Sequence, residues 1–167
     1  MSKREKALSL LKSLEIPFEL EEHPAVFTIG EMDSLGIAWR GEVCKNLFLR
    51  DAKGRNHYLV VLPGQKRAEL KAIAAQIGSS ALSFASESRL MERLGLEKGA
   101  VTPLGVVNNT DHDVVVVFDE DLLATGRVGV HPNDNTATVW LRFGDLKKLV
   151  EHCGNEIRMI RLEDAIV

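Results

Sequence analysis

Residues 43–62, VCKNLFLRDAKGRNHYLVVL, contain two runs of β-forming residues separated by a short polar segment. Branched and aromatic side chains favour strands, and Asp51-Ala52-Lys53-Gly54 has the composition of a turn. The stretch therefore predicts a β-hairpin with strands at Val43–Arg50 and His57–Leu62. Because Pro63-Gly64 follows directly, the second strand is expected to end there.

The rest of the chain mixes helix and strand patterns without a regular strand-helix-strand rhythm. Ser2 and Glu5 form a capping box for a helix that reaches Leu14, and Asp145 is predicted to cap a helix that ends at His152. The other predicted helices are at 28–35, 67–77 and 86–94, and the other strands at 18–22, 82–85, 114–118, 136–141 and 157–162. The pattern predicts an α+β (mixed α/β) fold, with helices around a mixed, largely antiparallel or barrel-like sheet.

Composition limits the class of protein. The 167 residues have 45% hydrophobic and 27% charged side chains, with 21 Lys and Arg against 24 Asp and Glu. These values are typical of a soluble globular protein, and the length predicts one domain over residues 1–167. The two cysteines, Cys44 and Cys153, have no zinc-site spacing, so we expect structural thiols and no metal. Without a signal peptide or a long apolar run, the expected location is the cytoplasm, with no membrane partner.

Lys45 is the first candidate for chemistry. Alternation places Lys45 on one face of its strand with Val43 and Leu47, whereas Asn46 points to the other face. A lysine among apolar neighbours can be an edge-strand lysine whose head reaches solvent. It can also be a cation directed into a cavity, where it binds phosphate or polarises a carbonyl.

Two further segments are weaker candidates. The glycine-bounded segment Gly99–Gly105 can direct consecutive backbone N–H groups at an anion, although most such segments are plain turns. His131-Pro132 ends a strand, where a histidine can bind substrate or orient water. His57 and His152 are expected at the surface. The chain has no G-x-S-x-G, Walker A or H-E-x-x-H motif and no helix-turn-helix, which argues against DNA as a partner.

Taken in order, these motifs resemble one family. Val-Cys-Lys-Asn-Leu at 43–47, G-x-x-x-P at 99–103 and G-x-H-P-x-x-N-x-x-T at 129–138 are similar to the YbaK-like and prolyl-tRNA-synthetase-associated editing domains. His23-Pro24, followed by Thr28 and Glu31, resembles the N-terminal pattern of that family. The resemblance extends over roughly residues 3–163 and is strongest to the free-standing, alanine-specific branch called ProXp-ala.

The resemblance implies an aminoacyl-tRNA hydrolase that acts in trans on mischarged Ala-tRNA(Pro). A synthetase pocket for proline rejects the smaller alanine poorly, since a missing methylene is worth only about 1–3 kcal/mol. A second pocket that admits alanine and excludes proline removes the error. The implied partner is the acceptor end of the mischarged tRNA, with prolyl-tRNA synthetase or an elongation factor as open further partners. No cofactor is implied.

The resemblance also implies roles for individual residues. Lys45 would hold the phosphate of the terminal adenosine or the charged end of the substrate, and Asn46 would bind substrate if a twist or bulge turned it to the same site. Gly99 and its loop would offer N–H groups to the ester carbonyl and water, and His131 would orient the aminoacyl group or the ribose. The ester is activated, so backbone groups or the substrate's own amino or hydroxyl group would activate the water. The implied substrate-binding residues are Thr28, Met32, Thr102, Pro103, Leu104 and Gly105.

Two alternatives remain open at this stage. One is a deacylase for another small amino acid, such as cysteine, serine or threonine; the other is a tRNA- or synthetase-binding module without catalysis.

The distribution of charge along the chain is compatible with RNA binding in all of these cases. Residues 40–72 hold eight Lys or Arg and three acids, whereas residues 111–121 hold five acids and no Lys or Arg. A basic face beside Lys45 would receive the acceptor end, with weak and salt-sensitive binding.

Overall fold

The computed structural model describes residues 1–25, 30–31 and 41–163. Its strands are β1 (Glu19–Glu22), β2 (Glu42–Arg50), β3 (His57–Pro63), β4 (Ser83–Phe84), β5 (Val114–Asp119), β6 (Arg127–Val130), β7 (Ala137–Arg142) and β8 (Ile157–Ile160). Its helices are α1 (Lys3–Ser13), α2 (Leu70–Ile77), α3 (Glu87–Leu94) and α4 (Phe143–His152), with 3-10 helices at Pro103–Asn108 and Glu120–Ala124.

The strands form one mixed sheet in the order β1-β7-β6-β2-β3-β5-β8, and β4 pairs with the end of β2. Pairing is antiparallel between β1 and β7, β7 and β6, β2 and β3, and β2 and β4. It is parallel between β6 and β2, β3 and β5, and β5 and β8. The predicted mixed α/β fold is confirmed. Within the part of the chain that is described, the path is open, with β1 and β8 at its ends, rather than closed as a barrel.

Local sequence signals explain several element ends. The capping box predicted for α1 is present: the Ser2 hydroxyl accepts from the Glu5 N–H, and the Glu5 carboxylate accepts from the Ser2 N–H. The prediction that Asp145 caps the last helix is wrong, because α4 begins at Phe143 and its N-cap is Arg142. Asp145 lies in the first helical turn, where a carboxylate is favourable and accepts from the Arg142 side chain.

Two other predicted boundaries change. Helix α2 begins at Leu70 instead of Arg67, since Glu69 is extended and serves as its N-cap. The segment Gly99–Gly105 is a turn only at its start, because Pro103 opens a 3-10 helix that continues to Asn108. The helix predicted at 28–35 lies mostly outside the described residues.

The sheet separates two apolar cores. The larger core lies between the sheet, helices α1 and α4, and the 3-10 helix at Pro103–Asn108; from the strands it takes Cys44, Phe48, Val61, Val128, Val130, Val139 and Leu141, among others. The smaller core packs α2 against Leu49, Val60, Leu62 and Val117. Alternation along β2 therefore gives opposite faces to Cys44 and Leu49, as the hairpin pattern predicts.

Gly129 in β6 lies beneath the indole ring of Trp140. The two residues are cross-strand partners, and Trp140 is fully buried. A Cβ atom on Gly129 would lie 2.7 Å from Cζ3 and 2.9 Å from Cη2 of that ring. The absence of a side chain at Gly129 thus allows the ring to lie across β6, next to β2.

We expect Gly129→Ala to lower the free energy of unfolding by about 1–3 kcal/mol, since the added methyl group overlaps a rigid ring that is buried. Urea unfolding measures the change. Gly144→Ala is the matched control: a Cβ atom there meets nothing within 4 Å on helix α4, so that variant should be neutral or up to about 1 kcal/mol more stable. Equal effects of the two variants would contradict this account of the Gly129–Trp140 contact.

Candidate active site

Lys45 and His131 come level with each other on neighbouring strands. Strands β2 and β6 run parallel and pair Glu42 with Val128 and Val43 with Gly129. Extending that register two residues beyond the paired ones places Lys45 of β2 level with His131, which directly follows β6. Because side chains alternate along a strand, both point to the face that carries Val43 and Gly129. Two of the predicted site residues are therefore brought together.

The register extends this line across two more strands. Continuing the β6–β7 pairing beyond Val130 places His131 opposite Thr138, and Glu21 of β1 is the direct partner of Thr138. Glu21, Thr138, His131 and Lys45 form what we call the polar row. It lies on the opposite sheet face from Val128, Val130 and Val139, which belong to the larger core. The sequence contained Thr138 in the quoted motif, but nothing in it assigned Thr138 or Glu21 to the site.

His131 presents one ring nitrogen as an acceptor. Its Nδ1 lies 2.9 Å from the Ala137 carbonyl, so Nδ1 carries the proton and Nε2 carries the lone pair. Burial lowers the pKa of His131; the bond to Ala137 opposes that shift, and the neighbouring His23 adds to it. The imidazole is therefore neutral near pH 7, with Nε2 ready to accept a hydrogen bond.

His23, which directly follows β1, supports this arrangement. Its Nδ1 donates to the Pro24 carbonyl at 2.8 Å, so its Nε2 accepts from the Thr138 hydroxyl, also at 2.8 Å. The ring centroids of His23 and His131 are 6.1 Å apart. Thr138 and His131 thus both lie against one histidine, which agrees with their shared face.

Arg4 holds the loop that follows His131 in place, although no sequence motif indicates this role. The Arg4 guanidinium donates from Nε to Asp134 Oδ2 at 2.9 Å and from Nη2 to Thr136 Oγ1 at 2.6 Å. Its Nη1 reaches Glu22 at 2.7 Å. The bonds from Arg4 and Thr136 outweigh burial and lower the pKa of Asp134 to about 2. Helix α1 therefore ties the histidine loop to the end of β1.

Lys45 is half-buried and donates from Nζ to the Lys66 carbonyl at 2.8 Å. Among the residues at 1–25, 30–31 and 41–163, no carboxylate forms an ion pair with Lys45. An ammonium group has three donors, so two remain for a ligand. Lys45 therefore carries an ammonium charge at its end of the polar row that no ion pair within the described residues offsets.

Asn46 is not brought to the same face. The β2–β3 register runs without a bulge from Cys44 opposite Pro63 to Arg50 opposite His57. Asn46 accordingly stands beside Val61, on the side of the larger core, where its Oδ1 is buried and has no hydrogen-bond partner. The bulge that would join Asn46 to Lys45 is absent from β2.

The glycine segment uses several of its amides internally. The Ala100 N–H donates to the Glu97 carbonyl, and Thr102 accepts from the N–H groups of Leu104 and Gly105. The 3-10 helix Pro103–Asn108, which begins within this segment, packs against α1, α3 and α4 in the larger core, and a Cβ on Gly105 would lie 2.6 Å from Leu96. The roles of Gly99 and of the four residues Thr102 to Gly105 remain predictions. Thr28 and Met32 lie outside the described residues.

The charges are arranged differently from the sequence-based prediction. Lys66, from the basic stretch, is buried and pairs with Asp119 and Asp121 of the acidic stretch. Arg67, also from the basic stretch, pairs with its near neighbour Glu69. The basic face predicted around residues 40–72 is therefore smaller than the charge count implies.

His57 and Cys44 are both core residues. The surface position predicted for His57 is wrong: it is 1% exposed, stacks on Phe48 and accepts from Arg89. Burial, with the charges of Arg93 and Arg89, lowers the pKa of His57 to about 4. Burial raises the pKa of the Cys44 thiol, so the group is neutral and unreactive, in keeping with a structural role.

In the described ranges, no three His, Cys, Asp or Glu side chains gather as metal ligands.

Comparison with known proteins decides the family. The family model described as "Aminoacyl-tRNA editing domain" matches residues 23–149. This chain belongs to the aminoacyl-tRNA editing domain family. The family predicted from the motifs is thus confirmed. The match contains Lys45, the Gly99 segment, His131 and Thr138, whereas Arg4 and Glu21 lie outside it.

Individual relatives agree with this editing-domain assignment. The chain is 48% identical over 162 residues to the Prolyl-tRNA editing protein ProX of Acetoanaerobium sticklandii, covering 97% of this chain and 99% of the relative. It is 36% identical over 150 residues to Prolyl-tRNA synthetase associated domain-containing protein 1 of Bos taurus, covering 87% of each. A crystal structure named for a proposed role as a trans-editing enzyme for prolyl tRNA synthetase shares the fold, with a TM-score of 0.74, 21% identity and coverage of 98% and 99%.

None of the helices described for this editing domain is both long and apolar enough to cross a membrane.

His131 of the editing domain should titrate below the ordinary histidine pKa of about 6.5. Nitrogen-detected NMR should show the Nδ1-protonated tautomer at pH 7, because Nδ1 donates to Ala137. Since the folded pKa is lowered, the stability that neutral His131 contributes is present above about pH 6.5 and is lost as the pH falls towards the folded pKa. An Nε2-protonated tautomer, or a midpoint at or above 6.5, would contradict this geometry.

Proposed function

We propose that this editing domain is a trans-acting deacylase that hydrolyses Ala-tRNA(Pro). The observation that carries the proposal is the polar row, in which the Lys45 cation and the neutral, acceptor-bearing His131 stand side by side on one sheet face. Family membership and a relative named as a prolyl-tRNA editing protein support the substrate class. The site of action would be the cytoplasm, and prolyl-tRNA synthetase or an elongation factor would be the source of the mischarged tRNA.

The row can bind the two ends of an aminoacylated adenosine. The Lys45 ammonium binds an anionic phosphate of the terminal nucleotide, for which its two free donors are suited. The Nε2 atom of His131 accepts from an N–H of the neutral α-amino group or from a ribose hydroxyl. Both contacts hold the ester in a fixed orientation, and such positioning can supply a large part of the barrier reduction for an activated ester.

Hydrolysis then needs one water. The water oxygen attacks the ester carbonyl, the tetrahedral oxyanion collapses, and the bond to the ribose oxygen breaks. The proton lost by the water ends on the ribose oxygen, and free alanine and tRNA are released. We assign proton transfer to the substrate's own amino or hydroxyl group, held in place by His131. The preference for alanine requires that the aminoacyl pocket beside the row admit a methyl group and exclude the proline ring.

The same sheet face offers cations to the RNA chain. Arg127 and Arg142 are cross-strand partners at the other end of β6 and β7. Arg142 lies four residues from Thr138, or about 14 Å along the strand. Beside it, at the edge that the sheet shares with the larger core, is a cavity of about 430 Å³, whose lining includes Lys147 and Lys148 of α4. Arg127, Arg142 and Lys147 each pair with a carboxylate, so we assign the contact with a phosphate upstream of the terminal adenosine to Lys148.

The decisive test is a panel of mischarged tRNAs. We expect the purified protein to deacylate Ala-tRNA(Pro) faster than Cys-tRNA(Pro) or Ser-tRNA(Pro), and to leave Pro-tRNA(Pro) intact. Lys45→Ala should lower the rate about 10- to 100-fold, which corresponds to a charged hydrogen bond of about 1.5–3 kcal/mol, while the melting temperature stays unchanged. Lys53→Ala, at the exposed turn of the hairpin, is the matched control.

Two results would overturn this proposal. Equal or faster hydrolysis of Cys-tRNA(Pro) would replace alanine with another small amino acid. Binding of every mischarged tRNA without turnover would identify a binding module instead of an enzyme.

The cations beside α4 give a separate expectation. Lys148 is exposed, and replacing it with Glu should raise KM for Ala-tRNA(Pro) a few-fold and make the salt dependence of KM shallower, because one phosphate contact is lost. Hydrolysis of alanyl-adenosine, which lacks the upstream phosphates, should be unaffected. If Lys148→Glu behaves like Lys53→Glu in both assays, this surface does not contact the RNA.

A further inference from the structure

A second lysine lies behind Lys45 and is almost completely buried. Lys66 is 3% exposed, and its Nζ lies 3.0 and 2.9 Å from the two carboxylate oxygens of Asp119 and 2.6 Å from Asp121. Asp119 has no exposed surface and also accepts from the backbone N–H groups of Asp121 and Leu162. The cation is therefore held from several sides within the fold.

The other end of the same residue touches Lys45. The Lys66 carbonyl is the acceptor for Lys45 Nζ, at 2.8 Å. The turn before it is also fixed: the Lys66 N–H donates to the Pro63 carbonyl, and the Gly64 N–H donates to Glu42 on β2. A side chain anchored in the interior thus sets the position of the atom to which the Lys45 ammonium is bonded.

Energetics favour a role beyond stability for this cluster. Removing a lysine and a carboxylate from water costs several kcal/mol per ion, and a well-packed apolar pair often stabilises a fold as well as a buried ion pair does. A lysine side chain also has about 2 kcal/mol of rotamer entropy to lose when its head is fixed. A carbonyl held in one place reduces the conformations that Lys45 samples before the substrate arrives.

We propose that Lys66, together with Asp119 and Asp121, is a positioning cluster that holds the Lys45 ammonium in the orientation needed to bind the substrate. Lys66 acts through its carbonyl and touches no reacting atom. This inference rests on the proposed function and deepens it. The buried ion-pair cluster determines how accurately Lys45 is placed in the polar row.

The test is a double-mutant cycle with Lys45. Asp121 is about half exposed, so Asp121→Asn removes the charge of one partner of Lys66 without opening the core. We expect it to lower single-turnover deacylation of Ala-tRNA(Pro) about 3- to 10-fold, and Lys66→Met to lower it further. In the Lys45→Ala background both substitutions should have no additional effect, because nothing is left for the cluster to position.

Asp113→Asn is the matched control. It removes a carboxylate from another partly buried ion pair, with Arg93, that connects α3 to the start of β5 and lies away from Lys45. It should leave the deacylation rate unchanged. If Asp121→Asn leaves the rate unchanged, or lowers it equally with and without Lys45, the cluster is structural only and the proposal fails.

A second readout does not depend on catalysis. Nitrogen-15 relaxation of the Lys45 ammonium group should show a restricted head in the wild-type protein and a more mobile one in Asp121→Asn. If no tRNA is deacylated but this change is seen, the positioning proposal stands and the proposed function fails. If deacylation is normal and the Lys45 head is equally mobile in both proteins, the positioning proposal fails alone.

Discussion

A short parallel contact between β2 and β6 determines the rest of the structure. It consists of two residue pairs, Glu42 with Val128 and Val43 with Gly129, and it joins the β1-β7-β6 part of the sheet to the β2-β3-β5-β8 part. The missing side chain of Gly129 lets the Trp140 ring lie across this junction. Because the contact fixes the register, residues 86 positions apart in the chain, Lys45 and His131, come level on one face.

Each end of the polar row is held from outside the row. On the histidine side, Arg4 of α1 joins the loop after His131 to β1 through Asp134, Thr136 and Glu22. On the lysine side, the buried Lys66 presents its carbonyl to Lys45. Accurate placement is what a site needs when its substrate is already an activated ester, since orientation then contributes more than a strong nucleophile.

The sequence predicted those features that depend on neighbouring residues. The hairpin of β2 and β3 follows from alternation and a polar turn, and the cap of α1 follows from Ser2 and Glu5. The placement of Lys45 and His131 on one face needed the motif resemblance, because no local pattern contains the β2–β6 pairing. The resemblance also grouped Asn46 with Lys45, but regular alternation along β2 separates them.

Features that depend on distant partners were not predictable. Lys66 was counted with a basic surface, yet Asp119, 53 positions away, draws it into the interior. His57 was expected at the surface, but Arg89 and Phe48 enclose it. Composition and periodicity describe one segment at a time, whereas the burial of a charge is decided by which segment packs against it.

The central claim is that the aminoacyl end of the substrate binds along the polar row. A crystal structure with a non-hydrolysable analogue of the alanylated terminal adenosine that keeps its 5′-phosphate, and in which an amide replaces the ester to the ribose, tests it most directly. The predicted result is a ligand on the face of Lys45, with its phosphate or ribose near the Lys45 ammonium and a donor group of the ligand on His131 Nε2. A ligand bound on the opposite sheet face, or seated only in the cavity beside Lys147 and Lys148, would contradict the account.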